Sequence, residues 1–121
     1  MFAELLHQAL VNTPGAVSVT LSGYDGIAID AQKREEAETL GAADVVVELG
    51  MIAQQLKRVT EDLRSGEMQE FTVQTTSLTT VIRPVTADYF LALSLEPTGF
   101  VGKARYQLRV LAPRVAQELA S

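Results

Sequence analysis

Apolar positions along this chain switch between a period near 3.6 residues and a period of two, and the switches divide it into elements. Phe2, Leu5, Leu6 and Leu10 recur at helical spacing and predict a short amphipathic helix, ended by Asn12-Thr13-Pro14-Gly15. Val17, Val19 and Leu21 then alternate with Ser18 and Thr20, giving a strand with one apolar side, and a second strand begins at Gly26 with Ile27 and Ile29. Gly23-Tyr24-Asp25-Gly26 between them reads as a hairpin turn. Ala31 to Gly41, centred on Lys33-Arg34-Glu35-Glu36, is polar and predicts an exposed connection with a helical turn.

Ala43 to Arg64 is helix-sized and lies between two strand-forming stretches, Ala16 to Asp30 and Met68 to Leu95. Thr39 or Asp44 is the candidate cap. Val45, Leu49, Ile52, Leu56, Val59 and Leu63 form a continuous stripe at spacings of three and four, which predicts the face laid on a sheet. A narrower stripe runs through Val46, Gly50 and Ala53 toward Lys57. Gly50 costs about 1 kcal/mol of helix propensity relative to alanine, and one use for it is close approach of another backbone. Glu48, Gln55, Arg58 and Asp62 supply polar surface beside the stripes, and Ser65-Gly66-Glu67 stops the helix, with Gly66 as the left-handed cap.

Three strands fit the next stretch. Phe71, Val73 and Thr75 alternate with polar residues, as do Leu78, Thr80 and Ile82 with Thr79, Val81 and Arg83, while Tyr89 to Leu95 is apolar on both faces apart from Ser94. The short breaks between them favour an antiparallel meander. Ala104, Leu108, Leu111, Val115 and Leu119 mark a last helix that Pro113 should kink or divide. The order predicts one α/β domain of α+β arrangement over residues 1–121, helix-strand-strand-helix followed by three strands and a helix.

A chain of 121 residues builds a modest core and leaves much of its surface in water. The net charge of −5 argues against a nucleic-acid partner, although Lys103, Arg105, Arg109 and Arg114 gather near the C-terminus. Cysteine is absent, which excludes disulfides, thiolate catalysis and cysteine-held metals. Nothing resembles a secretory signal, and no segment reaches the roughly 18 uninterrupted apolar residues of a membrane span, so a cytoplasmic protein without direct membrane insertion is expected.

Catalytic signals are thin. His7 is the only histidine, on the polar side of the first helix, and no paired nucleophile and acid accompany it. Asp25 and Asp30 flank a strand, but turns favour aspartate for ordinary hydrogen-bonding reasons, and the Thr75 to Thr80 hydroxyls suit strands sterically. Gly99-Phe100-Val101-Gly102-Lys103 lacks the spacing of a phosphate loop. No enzyme activity, cofactor or metal is expected.

The element order, the Val17 to Ile29 hairpin around Gly23-Tyr24-Asp25-Gly26, the long helix with Gly50 and Leu56, the Tyr89 to Leu95 strand, and Gly99 through Gly102-Lys103-Ala104-Arg105 to Leu108-Arg109 together resemble the roadblock/LC7 family, especially its small prokaryotic members. The resemblance spans about residues 2 to 120. It implies an αββαβββα domain whose five-stranded antiparallel sheet joins a second copy edge to edge into a ten-stranded sheet. The strand near Met68 would lie at the junction, with Phe71 and Val73 at the open edge and Val46, Gly50 and Ala53 in a close contact between long helices. Internal packing of Gly50 in a monomer is the alternative.

The resemblance also implies function. Members commonly bind small Ras-like GTPases as scaffolds, localisation factors or GTPase-activating proteins, so the chain looks like a homodimeric adaptor or regulator of such a GTPase, related to polarity and motility dimers. The helix surface around Glu48, Gln55, Arg58 and Asp62 would be the partner platform. A structural scaffold or a small-ligand sensory dimer without GTPase binding is the competing reading. The sensor would need a roomy pocket with convergent polar groups, and the sequence offers no compact polar set.

Overall fold

A computed structural model describes residues 2–121. In chain order the elements are α1 (Phe2–Asn12), β1 (Ala16–Gly23), β2 (Ala28–Lys33), α2 (Glu36–Thr39), α3 (Ala42–Asp62), β3 (Phe71–Gln74), β4 (Thr79–Pro84), β5 (Tyr89–Leu95) and α4 (Val101–Ala120). The five strands form one antiparallel sheet in the order β2-β1-β5-β4-β3. The predicted order therefore stands, with α2 added inside the segment read as a connection. That segment is also more structured at its start, because β2 continues to Lys33 by pairing with β1 as far as Ser18.

Three local details depart from the sequence expectations. Neither Thr39 nor Asp44 caps α3: its N-cap is Gly41, at φ 66°, with no side-chain cap hydrogen bond. At the other end the left-handed residue that stops α3 is Arg64, at φ 56°, and not Gly66. Arg64 N–H donates to Glu61 O at 3.0 Å and Ser65 N–H to Thr60 O at 2.9 Å, the paired bonds that satisfy a helix C-terminus. Finally, Pro113 does not divide α4, which continues through it as one helix. The carbonyl that loses its intrahelical donor there belongs to Arg109, an exposed residue, so water can reach it.

The sheet divides two unlike layers. On one face α1 and α4 pack over Val19, Leu21, Val81, Leu91, Leu93 and Leu95, with Leu6, Leu108 and Val115 fully buried between helices and sheet. β5 is buried along nearly its whole length, as its unbroken apolar run requires of a covered central strand. On the other face α2 and α3 cover a layer built of smaller side chains. Ser18, Thr20, Ser22, Thr80 and Ser94 are all buried, and Thr80 and Ser94 share a hydrogen bond of 3.0 Å across β4 and β5. Phe90 and Ile82 are the large residues of this layer.

Candidate protein-binding surfaces on the long helix and the sheet edge

The face of α3 turned to the sheet is the narrow stripe. Its buried residues are Ala42, Val46, Gly50 and Ala53, and Val46 and Ala53 pack with Phe90, Ile82, Ala92 and Tyr24. A Cβ on Gly50 would lie 2.6 Å from Phe90 Cζ and 2.8 Å from Phe90 Cε1. Gly50 therefore makes room for an aromatic ring of its own subunit. This corrects the assignment of Val46, Gly50 and Ala53 to a contact between copies: they are spent inside the protomer and are not available to a second helix.

The broad stripe moves outward by the same rotation. Val45, Leu49 and Leu56 are half-buried, while Ile52, Val59 and Leu63 are exposed, Leu63 by 74%. Leu49 packs against the same cluster as Phe71 and Met68, which puts this apolar flank on the β3 side of α3. β3 is one edge of the sheet, paired only with β4, so its outer backbone groups are open. Phe71 and Val73 sit on that edge strand, both half-buried, as the sequence reading placed them. An exposed apolar helix flank thus borders an open strand edge.

The outer face of α3 carries Glu48, Gln55, Arg58 and Asp62, all exposed. They share the side of the helix opposite Val46 and Gly50 and extend along about 21 Å of its length. Met51 lies among them, 52% exposed, and Val47 beside them; sequence reasoning did not select either. Their signal is an apolar residue inside the polar stripe, which a two-stripe division of the helix absorbs without notice.

The weak catalytic candidates have structural employment. Asp25 Oδ1 accepts a hydrogen bond from Ile27 N–H at 3.0 Å and closes the β1–β2 turn, and Asp30 Oδ1 accepts from Ala31 N–H at 2.8 Å. Thr75 Oγ1 accepts from Leu78 N–H at 3.1 Å in the β3–β4 turn, and His7 is exposed on α1. Tyr24 turns inward from its turn and stacks on Phe90, with ring centroids 5.0 Å apart, while the Lys57 ammonium sits 4.5 Å from its ring centre. Its hydroxyl is buried without a protein partner, and that burial pushes the phenol from 10.0 up to about 12.

One feature runs against expectation. A cleft of about 360 Å³ separates the start of α3 from β1 and β2, floored by Ser18, Thr20 and Ser22 and walled by Ala28, Ala31 and Ala42. The small side chains of this layer create it, and periodicity carries no sign of such a space.

No protein-family model matches the chain, and no curated protein does. Solved structures do match. MglC from Myxococcus xanthus is 31% identical, with a TM-score of 0.79, and the match covers 97% of this chain and 98% of that one. A roadblock/LC7 domain from Streptomyces avermitilis superposes at a TM-score of 0.82 over 98% and 97% of the two chains at 13% identity. The gliding protein MglB from Thermus thermophilus gives 0.81 at 17% identity, over 95% of this chain and 85% of that one. Identity near a third along nearly the whole length, joined to the same five-stranded sheet between one helix pair and one long helix, makes this chain a member of the roadblock/LC7 family.

Proposed function

We propose that the protein is a homodimeric adaptor for a small Ras-like GTPase, working without a catalytic centre of its own. The observation that carries this reading is the junction of the exposed Ile52–Val59–Leu63 flank with the open β3 edge. Pairing two β3 strands would satisfy the edge and extend the sheet to ten strands, and the same two-fold axis would bring the two α3 flanks together. Phe71 and Val73 would continue the apolar surface onto the sheet. The outer faces of the paired helices, with Glu48, Gln55, Arg58 and Asp62, would then form one polar platform around Met51. Family membership supports the GTPase as partner, and the name gliding protein, borne by the Thermus thermophilus MglB, supports a motility or polarity setting.

An adaptor of this kind acts on hydrolysis only by ordering the partner's switch segments, so GTPase activation is a property of the complex. The test is solution mass by light scattering, alone and with each small Ras-like GTPase encoded near its gene, loaded with GDP or a nonhydrolysable GTP analogue. A dimer that gains mass with the GTP-like form supports the proposal, and faster hydrolysis in that complex would make the adaptor an activator. A monomer at all working concentrations refutes the dimer. The hydroxyl-floored cleft favours one second reading, a small-ligand sensory dimer, which gains support if the dimer binds no GTPase in either state.

A further inference from the structure

On the opposite face of the sheet, arginines from two elements converge. Val81 and Ile82 of β4 point to the two different core layers, so Arg83 emerges on the α1/α4 side, next to the first turns of α4. There it borders a cleft of about 370 Å³ together with Arg105 and Arg109 of α4 and Glu70 just before β3. Glu70 Oε2 forms a salt bridge with Arg105 Nε at 2.7 Å and accepts a hydrogen bond from Thr72 Oγ1 at 3.4 Å. The salt bridge is made through the inner nitrogen of the guanidinium. Among the described residues Arg83 and Arg109 have no salt-bridge partner; Arg109 lies only over the Tyr106 ring, 5.6 Å from its centre.

Three guanidiniums against one carboxylate give this cleft a net positive charge in a chain where acids outnumber bases 15 to 10. Arginine forks match carboxylates in a bidentate geometry, and the Glu70–Arg105 pair shows one carboxylate already held there. We propose that the cleft docks an acidic segment of a partner protein, whose carboxylates pair with Arg83, Arg109 and Arg105. Glu70 is an internal competitor for that segment. The site lies across the sheet from the α3 platform, so the proposal does not rest on the GTPase reading and each can fail alone.

The probe is a fluorescein-labelled peptide of alternating glutamate and aspartate, titrated with full-length protein by fluorescence anisotropy at low salt. Arg83→Gln and Arg109→Gln are each expected to weaken binding about three- to five-fold. Lys103→Gln, on the same helix but outside the lining, should weaken it less than about two-fold. Glu70→Gln should tighten it, and Glu118→Gln, the same charge change at the far end of α4, should not. Gly102 lines the cleft, and a Cβ there meets no atom within 4 Å, so Gly102→Leu, its fold checked by circular dichroism, obstructs the cleft without changing charge. It should reduce binding as the arginine variants do. Equal effects of the Arg109 and Lys103 changes, or of the Glu70 and Glu118 changes, would reduce the signal to net charge and overturn the proposal. So would undiminished binding by Gly102→Leu, equal affinity for a glutamine–asparagine peptide, or displacement by inorganic phosphate beyond that of chloride at matched ionic strength.

Discussion

Gly50→Ala tests the rotation of α3 most directly, because two known effects oppose each other there. Alanine is the better helix former by about 1 kcal/mol. Its methyl, however, would be placed 2.6 Å from Phe90 Cζ. The ring cannot swing aside at low cost: Phe90 is 1% exposed and packed against Tyr24. Overpacking of this kind costs about 1–3 kcal/mol, so the net expectation is a loss of about 1 kcal/mol. Phe90→Leu itself costs roughly 1–2 kcal/mol of apolar burial but clears the space. In that background Gly50→Ala should become stabilising by up to about 1 kcal/mol, a reversal of sign worth about 2 kcal/mol of coupling. Urea unfolding followed by circular dichroism, with unchanged slope and at two protein concentrations, reads all four corners of the cycle. The reasoning is refuted if Gly50→Ala stabilises the wild-type protein as it does the Phe90→Leu variant. A penalty that appears only at concentrations where copies associate would instead return Gly50 to an interface.

Tyr24→Phe removes a buried hydroxyl that has no protein partner and should leave thermal stability unchanged or raise it by about 1 kcal/mol at neutral pH. The folded-state phenol titrates above its unfolded value of 10.0, at about 12. Because the unfolded phenol ionises first, wild-type stability should be steady below pH 10 and fall by about 2–3 kcal/mol as pH rises to about 12, a fall that Tyr24→Phe should lack in alkaline unfolding. Arg64→Gly relieves a left-handed backbone at an exposed position and should stabilise by about 1 kcal/mol in the same urea assay; a destabilising result would contradict the helix stop described above. Ile52→Glu with Val59→Glu should convert the proposed dimer to monomer in light scattering while far-UV circular dichroism stays unchanged, and a surviving dimer would exclude the α3 flank as its seam.

Element types were legible because their signals are local. The alternation of Val17, Val19 and Leu21, the apolar run from Tyr89 and the long periodic segment after Gly41 each name an element without reference to the rest of the chain. Which stripe of α3 faces inward was not local. Periodicity gives two stripes, and the bulkier one points to the sheet because large aliphatics go inside. The answer depended on Phe90, far along the chain: a ring that size on the sheet demands small residues above it, and Gly50 and Ala53 are those residues. The same blindness hid both clefts, since Arg83 meets Arg109, and Ser18 meets the start of α3, only after the strands are in register. The outward placement of Glu48, Gln55, Arg58 and Asp62 was readable, because charge on one side of a helix needs no tertiary knowledge.

The thin layer beneath α3 has a consequence for how the protein opens. In an isolated protomer this helix is anchored by Ala42, Val46, Gly50 and Ala53, whereas α4 is anchored by Leu108, Leu111 and Val115 among others. The backbone amides of α3 should therefore exchange with solvent deuterium well before those of α4 and β5, as a cooperative unit that detaches while the sheet and its other helices persist. Whatever covers the flank from Val45 to Leu63 supplies the missing anchorage. Protection along α3 thus becomes a gauge of occupancy, readable residue by residue without labelling the partner.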